Sequence, residues 1–316
     1  MKRFKKIIFY TQGNTEDRSA LERAAELARL NHGQLTVVGV LQSLSHELRL
    51  LLPTTPPADL QEMALQEFRA QLEQFVERAR QPEIAIGVDV VCGVPFLEVI
   101  RVVLVQQADL VLLTAEGSGL RQPLLGSTSL RLLRKCPCPV WVIKTGPHRR
   151  FQRILAAVNP DPYDAEHCGV NSKIMGLATS LAHLEGSELR IVHAWDVQGE
   201  ATLRRWHKHL PAADVDRIVH DTESRHGAWL SELLAQYPLA GIPHNVHLLR
   251  GEPANVITNL AVKKGIDLIV MGTIGRTGLP GFFIGNTAEA VLGQVNCSVL
   301  TVKPEGFVSP VTLAKT

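Results

Sequence analysis

An internal repeat of about half the chain's length limits what this sequence can fold into. FKKIIFYT (4–11) aligns with FQRILAAV (151–158), and LARLNHGQLTVV (27–38) with LAHLEGSELRIV (181–192). GVPFLEVIRVVLVQQADLVLL (93–113) aligns with GEPANVITNLAVKKGIDLIVM (251–271), and CPVWVIK (138–144) with CSVLTVK (297–303). The matches keep their order, and the spacing between copies drifts from 147 residues at the first match to 159 at the last. A pattern written twice in order predicts one domain made twice. The expected boundaries are 1–146 for the first domain and 150–305 for the second. Residues 145–150 link them, and 306–316 form a C-terminal tail.

Each copy alternates short apolar runs with helical periodicity. In copy two, 154–158 is a run suited to a buried parallel strand. Ile174, Leu177, Ala178 and Leu181 recur at helical spacing within 172–184. A second strand is expected at 189–194, then a long helix ending near Tyr237 and a third strand at 246–249. A helix over 254–264 is followed by Gly265 as its C-cap. Strands at 268–271 and 299–302 bracket a helix over 287–293. Such alternation requires right-handed crossovers and a parallel sheet covered on both faces. The fold class expected is α/β, with two tandem doubly wound domains. In copy one the stretch 41–57 is rich in Leu and Pro and is the least legible part.

Composition narrows the function classes. Lys and Arg number 33 against 31 Asp and Glu, a net charge of +2, so no overall field favours nucleic acid or an anionic membrane. The basic start is followed by an apolar run, 7–10, far too short for an export signal. No stretch approaches 18 apolar residues, so no membrane span is expected and the cytoplasm is the expected location. Five cysteines in 316 residues are too few and too scattered for a disulfide framework. Cys138 and Cys297 read as small apolar residues leading into strands.

The chemistry concentrates in one loop. After the fourth strand of copy two comes GTIGRTGLPGFFIGNTAEAVL (272–292). Gly272 and Gly275 bracket a tight turn, nine residues follow, and Gly285, Asn286 and Thr287 open a helix. Glycine allows positive φ and close approach of the backbone to a ligand. The first turn of a helix presents unpaired N–H groups and the positive end of the dipole, which suits phosphate. Asn286 and Thr287 offer side-chain hydrogen bonds, and Arg276 reaches in from the rim. A plain turn followed by an N-cap has the same spacing, so spacing alone leaves both readings open. The loop is neither a Walker loop nor a Rossmann fingerprint. In a doubly wound sheet the ligand lies beyond the carboxyl ends of strands, so Asn159, Pro160 and Asp161 after the first strand should face the glycine loop.

Gly272-x2-Gly275-x9-Gly285 followed by a polar residue resembles the ATP-binding motif of the universal stress proteins. GRTGL (275–279) and the closing VLTVK (299–303) resemble that family too, and two copies in one chain resemble its tandem members. The resemblance covers nearly the whole sequence. It implies two five-stranded parallel sheets of the adenine nucleotide alpha hydrolase-like class, related by a pseudo-two-fold. It implies ATP or a related nucleotide, with or without Mg²⁺, whose phosphates lie on Gly272, Gly275, Arg276, Gly285, Asn286 and Thr287. The base and ribose would lie near Val158, Asn159, Pro160 and Ala194. Two positions depart from the family pattern. Asn159 stands where binding members carry Asp, and Asn286 stands where Ser or Thr is usual. In copy one the loop is TAEGSGLRQPLLGST: Thr114 replaces the first glycine, Gly117 and Gly126 remain, and Ser127 and Thr128 follow. Thr11 or Gln12 occupies the place of the acid, so copy one is expected to bind ATP weakly or not at all, with room for another ligand. Single domains of the family commonly pair through the last strand, which implies that 140–144 and 299–303 lie antiparallel within this chain as an internal pseudo-dimer. A homodimer of the whole chain stays open.

Other candidates are weaker. His207, His209, His220 and His226 have no zinc spacing and read as a solvated helix face. His193 falls in a strand and reads as a packed core or cleft residue. Asp109 and Asp267 precede the fourth strands and read as turn or capping residues. No residue set suggests catalysis or a resident metal. The function expected is a stress-response regulator or adaptor that responds to an adenine nucleotide in its second domain. Two alternatives stand beside it: a module for another nucleotide or a nucleotide-linked apolar metabolite, and a weak ATPase.

Overall fold

The computed structural model describes residues 4–42, 57–80, 82–115, 126–144, 150–163, 165–205, 211–273 and 285–313. In the first half these form β1 (Lys6–Tyr10), α1 (Arg18–Asn31), β2 (Gln34–Leu41), α2 (Pro57–Glu77) and β3 (Ile86–Cys92). Then follow α3 (Pro95–Gln106), β4 (Leu110–Thr114), α4 (Ser127–Lys135) and β5 (Val140–Ile143). The second half runs β6 (Arg153–Ala157), α5 (Ala165–Glu185), β7 (Glu188–Trp195), α6 (Glu200–Arg205), α7 (Ala212–Ala235) and β8 (His244–Arg250). It closes with α8 (Pro253–Lys264), β9 (Leu268–Gly272), α9 (Asn286–Gln294) and β10 (Ser298–Val302). Helix α5 starts well before the expected 172, because apolar periodicity marks only the part of a helix that packs on the sheet.

The strands form one sheet in the order β3-β2-β1-β4-β5-β10-β9-β6-β7-β8. Pairing is parallel within each half and antiparallel only where β5 meets β10, with Trp141 opposite Leu300 and Val142 opposite Val299. The last strand of each half is therefore central in the sheet, and the pairing of the two relates the halves by a pseudo-two-fold. Alternation sends Trp141, Ile143, Leu300 and Val302 into the core on one face. It sends Val140, Val142 and Val299 into the core on the other. Each core thus runs unbroken through both halves. Across the join Trp141 stacks on Phe151 at 5.6 Å, Arg23 lies over Phe151 at 4.3 Å, and Arg23 pairs with Glu185 of α5. The true edges, β3 and β8, are more exposed, and β8 carries His244, Asn245, His247 and Arg250.

The strand starts are fastened alike in both halves. The Asp109 carboxylate accepts the Lys5 and Lys6 N–H groups at 2.7 and 3.2 Å. Asp267 accepts those of Gln152 and Arg153 at 2.8 Å each. Both acids cap backbone N–H groups at the strand starts, the capping role expected of them. Cys138 and Cys297 are buried, and burial pushes the Cys297 thiol up to about 12. The end of the chain is no loose tail as far as Leu313: Val311 is buried in the second core, and Ser309 is buried beside it in sequence. No helix among the described residues is long and apolar enough to cross a membrane.

Candidate functional site

At the carboxyl ends of β6, β7 and β9 the second half holds a cavity of about 910 Å³. Its walls bring together the first-strand loop, the end of β7, Gly272, and the start of α9. A parallel sheet whose order reverses leaves such a crevice.

Residues of the glycine loop line one end: Gly272, Gly285, Asn286, Thr287, Ala288 and Glu289. Gly285 is the N-cap of α9, and its carbonyl accepts the Glu289 N–H at 2.9 Å. The first-turn N–H groups left over belong to Asn286, Thr287 and Ala288, and all three residues line the cavity. The Gly285 N–H donates to the Thr273 carbonyl at 2.7 Å, which fastens the helix start to the end of β9. Neither of these glycines uses a positive φ: Gly285 has φ −61°, and Gly272 is not in the left-handed region. At Gly272 the requirement is space, because a Cβ there would come within 2.7 Å of Val170 Cγ1 on α5. Gly275 and Arg276 lie outside the described residues.

Val158, Asn159, Asp161 and Ala194 line the same cavity, while Pro160 is not part of its wall. The buried Asn171 side chain holds the Asn159 backbone from both sides. Its Oδ1 accepts the Asn159 N–H at 3.0 Å, and its Nδ2 donates to the Asn159 carbonyl at 2.6 Å. The first-strand loop is therefore set by α5 before any ligand arrives.

The third wall is aromatic, and the sequence reading missed most of it. His193 is 1% exposed, as its core-or-cleft reading required. Its Nδ1 lies 3.2 Å from the Val158 carbonyl and its Nε2 lies 2.7 Å from His226 Nδ1. A carbonyl only accepts, so His193 Nδ1 carries the proton, His193 Nε2 accepts, and His226 Nδ1 donates. Burial, then the neighbouring His226, lowers the His193 pKa to about 4. The solvated-face reading is wrong for His226. It packs edge-on to Trp229 at 4.8 Å and against Trp195 at 6.1 Å, inside the cavity wall. It holds for His220, which is exposed, while His207 and His209 lie outside the described residues. Trp195 is 4% exposed, and its indole N–H has no acceptor among the described residues. Among the described residues no three His, Cys, Asp or Glu side chains converge to hold a metal.

The first half is built differently at the matching place. Gly39 stands where the second half has His193, and α2 lays Phe68 and Leu72 directly on it. An added Cβ would come within 2.4 Å of Leu72 Cδ1 and 2.8 Å of Phe68 Cε1. Gln12 donates to the Tyr10 hydroxyl at 2.7 Å and to the Val40 carbonyl at 3.2 Å. Thr11 donates to Asp17 at 2.5 Å. Packing thus occupies the ends of β1 and β2. Gly126 still caps α4, with Ser127 and Thr128 in its first turn, but Ser129 Oγ and Thr114 Oγ1 are buried without partners among the described residues. Gly117 lies outside the described residues.

With this geometry in hand, the comparisons with known proteins agree on kinship. The model of the universal stress protein family matches twice, over residues 3–144 and 150–303. Universal stress protein E of Photorhabdus laumondii is 28% identical over 319 residues, covering all of both chains. That of Escherichia coli K12 is 29% identical, covering 99% of this chain and 98% of its own. Among solved structures, a universal stress protein from Pseudomonas aeruginosa covers 97% of this chain and 95% of its own, with TM-score 0.73 and 22% identity. One from Archaeoglobus fulgidus covers 96% and 98%, with TM-score 0.62 and 19% identity. The chain belongs to the universal stress protein family, as a tandem pair of its domains.

Proposed function

We propose that the second half binds an adenine nucleotide, and that the protein is a stress-response regulator or adaptor whose state depends on that occupancy. The observation that carries this reading is one cavity lined both by a helix start and by the rings of Trp195, His226 and Trp229. Phosphates fit the first-turn N–H groups of Asn286, Thr287 and Ala288, where the helix dipole favours negative charge. A planar base fits between the pinned Asn159 loop and the rings at the end of β7, where Trp195 and His226 line the cavity. The first half, where Phe68 and Leu72 pack on Gly39, is the weaker binder or a non-binder. Regulation follows if ligand binds one conformation better than another, by its differential affinity. The cytoplasm is the compartment that supplies such a ligand.

Calorimetric titration with ATP, ADP and AMP tests the reading. Wild type should bind, and Gly285→Val, which puts a branched side chain at the helix start, should lose at least about tenfold in affinity, or about 1.4 kcal/mol. Equal affinity for both proteins would remove the glycine loop from the site. The extent of the aromatic wall favours one second reading, a nucleotide that carries a further ring or apolar group. Mass spectrometry of small molecules that co-purify with the native protein separates the two.

A further inference from the structure

Lys303 follows the last strand and is 3% exposed. An ammonium has three N–H donors, and here each meets an acceptor. Lys303 Nζ donates to the Leu133 carbonyl at 2.6 Å, the Arg134 carbonyl at 3.1 Å and Thr273 Oγ1 at 2.7 Å. Two of these acceptors are the C-terminal carbonyls of α4, in the first half, where a cation also complements the helix dipole. The third belongs to the residue whose own carbonyl holds the Gly285 N–H, and with it the start of α9. One buried cation therefore grips the far end of the first half's loop helix and the near end of the second half's.

The tie is not mirrored. Ala115 occupies the first half's position equivalent to Thr273: the Ala115 N–H donates to Ile143, as that of Thr273 donates to Val302. Alanine has no hydroxyl, and Lys144, the counterpart of Lys303, instead reaches the Asn296 carbonyl at 3.2 Å. Among the described residues the grip lies beside the helix start that borders the second half's cavity. A second link runs the same way. Arg134 pairs with Glu289 at 2.5 Å and so offsets a carboxylate in the wall of the anion end. Being part-exposed, that pair contributes little energy by itself. The buried Lys303 is costly to desolvate, and burial lowers its pKa to about 8. Loss of an acceptor from so buried a cation should therefore be felt at the loop.

We propose that Lys303 is a positioning residue of the second half's anion site and couples that site to helix α4 of the first half. The ligand arm of the test rests on the nucleotide reading above; the structural arm does not. In the full-length protein, amide hydrogen exchange is compared among wild type, Lys303→Met, Thr273→Val and Thr273→Ser without nucleotide. Exchange at 285–289 should quicken about tenfold in Lys303→Met and Thr273→Val and return to the wild-type rate in Thr273→Ser, while strand β7 stays unchanged. Lys303→Met should also loosen 130–136. If Lys303→Met fails to fold, Thr273→Val, close to the same shape, carries the test. Unchanged exchange at 285–289, or an equal rise everywhere, overturns the proposal. In the ligand arm, ATP affinity should fall about tenfold in both variants with adenosine affinity unchanged, and ATP should protect 130–136 in wild type but not in Lys303→Met. Equal losses for ATP and adenosine also overturn it. Quickened exchange in a protein that never binds ATP keeps the positioning role and refutes the nucleotide reading instead.

Discussion

The His193–His226 pair makes a quantitative demand on acid stability. Folded, His193 is held neutral down to about pH 4 by burial and by His226; unfolded, it returns to 6.5. As pH falls below 6.5 the unfolded chain takes up a proton that the native protein refuses, so native stability drops through the window from 6.5 to 4. Above 6.5 neither state is protonated there, and the cost vanishes. At about 1.4 kcal/mol per pH unit, the loss is about 3 kcal/mol near pH 4 and about 2 kcal/mol at pH 5. The perturbation is His193→Gln, which cannot titrate. At pH 7 the variant should be less stable by about 1–3 kcal/mol, because the bonds to Val158 and His226 are lost or remade poorly. At pH 5 wild type carries the proton penalty and the variant does not, so the gap should shrink by about 2 kcal/mol. Urea unfolding at both pH values, with slopes checked for constancy, reads this directly. A gap of the same size at pH 7 and pH 5 would refute the protonation state assigned to His193.

Three further outcomes are expected. His32 and Gln107 are non-glycine residues with φ of 50° and 53°, at positions where the second half has Gly186 and Gly265, so His32→Gly and Gln107→Gly should each raise stability by about 0.5–1 kcal/mol in thermal melts. Gly272→Ala forces its Cβ against Val170 and should cost about 1–3 kcal/mol in denaturant unfolding; a neutral effect would show that α5 yields freely. Trp141→Ala empties the centre of the β5–β10 join and should cost about 3–5 kcal/mol, and a much smaller loss would mean that the halves hold together without it.

Much of the fold was legible because parallel strands buried on both faces read as apolar runs, and helices packed on them keep their period. That is why the strands at 154–158 and 268–271 were placed nearly to the residue. Gly265 was legible as a cap because only the left-handed region explains a glycine after a helical pattern, and it has φ 58° there. The helix start at Gly285, Asn286 and Thr287 was also found from sequence, since glycine followed by polar residues marks a helix opening. His226 was misread because its neighbours His220 and Arg225 are exposed, and one turn of an exposed helix says nothing about what lies across from it. A signal was present nonetheless: within the repeat, His193 replaces Gly39, so a large polar side chain stands where the first half admits no side chain.

The amino-acid order alone told that there are two copies, that each is a strand–helix alternation with a parallel sheet, and where in the second copy a glycine-capped helix start lies. Those properties depend on residues near one another in the chain. The packed fold settles how each copy fills the ends of its strands: among the described residues Phe68 and Leu72 pack on Gly39 in the first, while in the second His193 stands there, bonded to His226, and His226 and Trp229 line a cavity. It alone decided that Lys303 joins Leu133, Arg134 and Thr273. These partners lie 30 to 170 residues from Lys303 in the chain, and a buried charge finds its acceptors only when the packed halves bring them together.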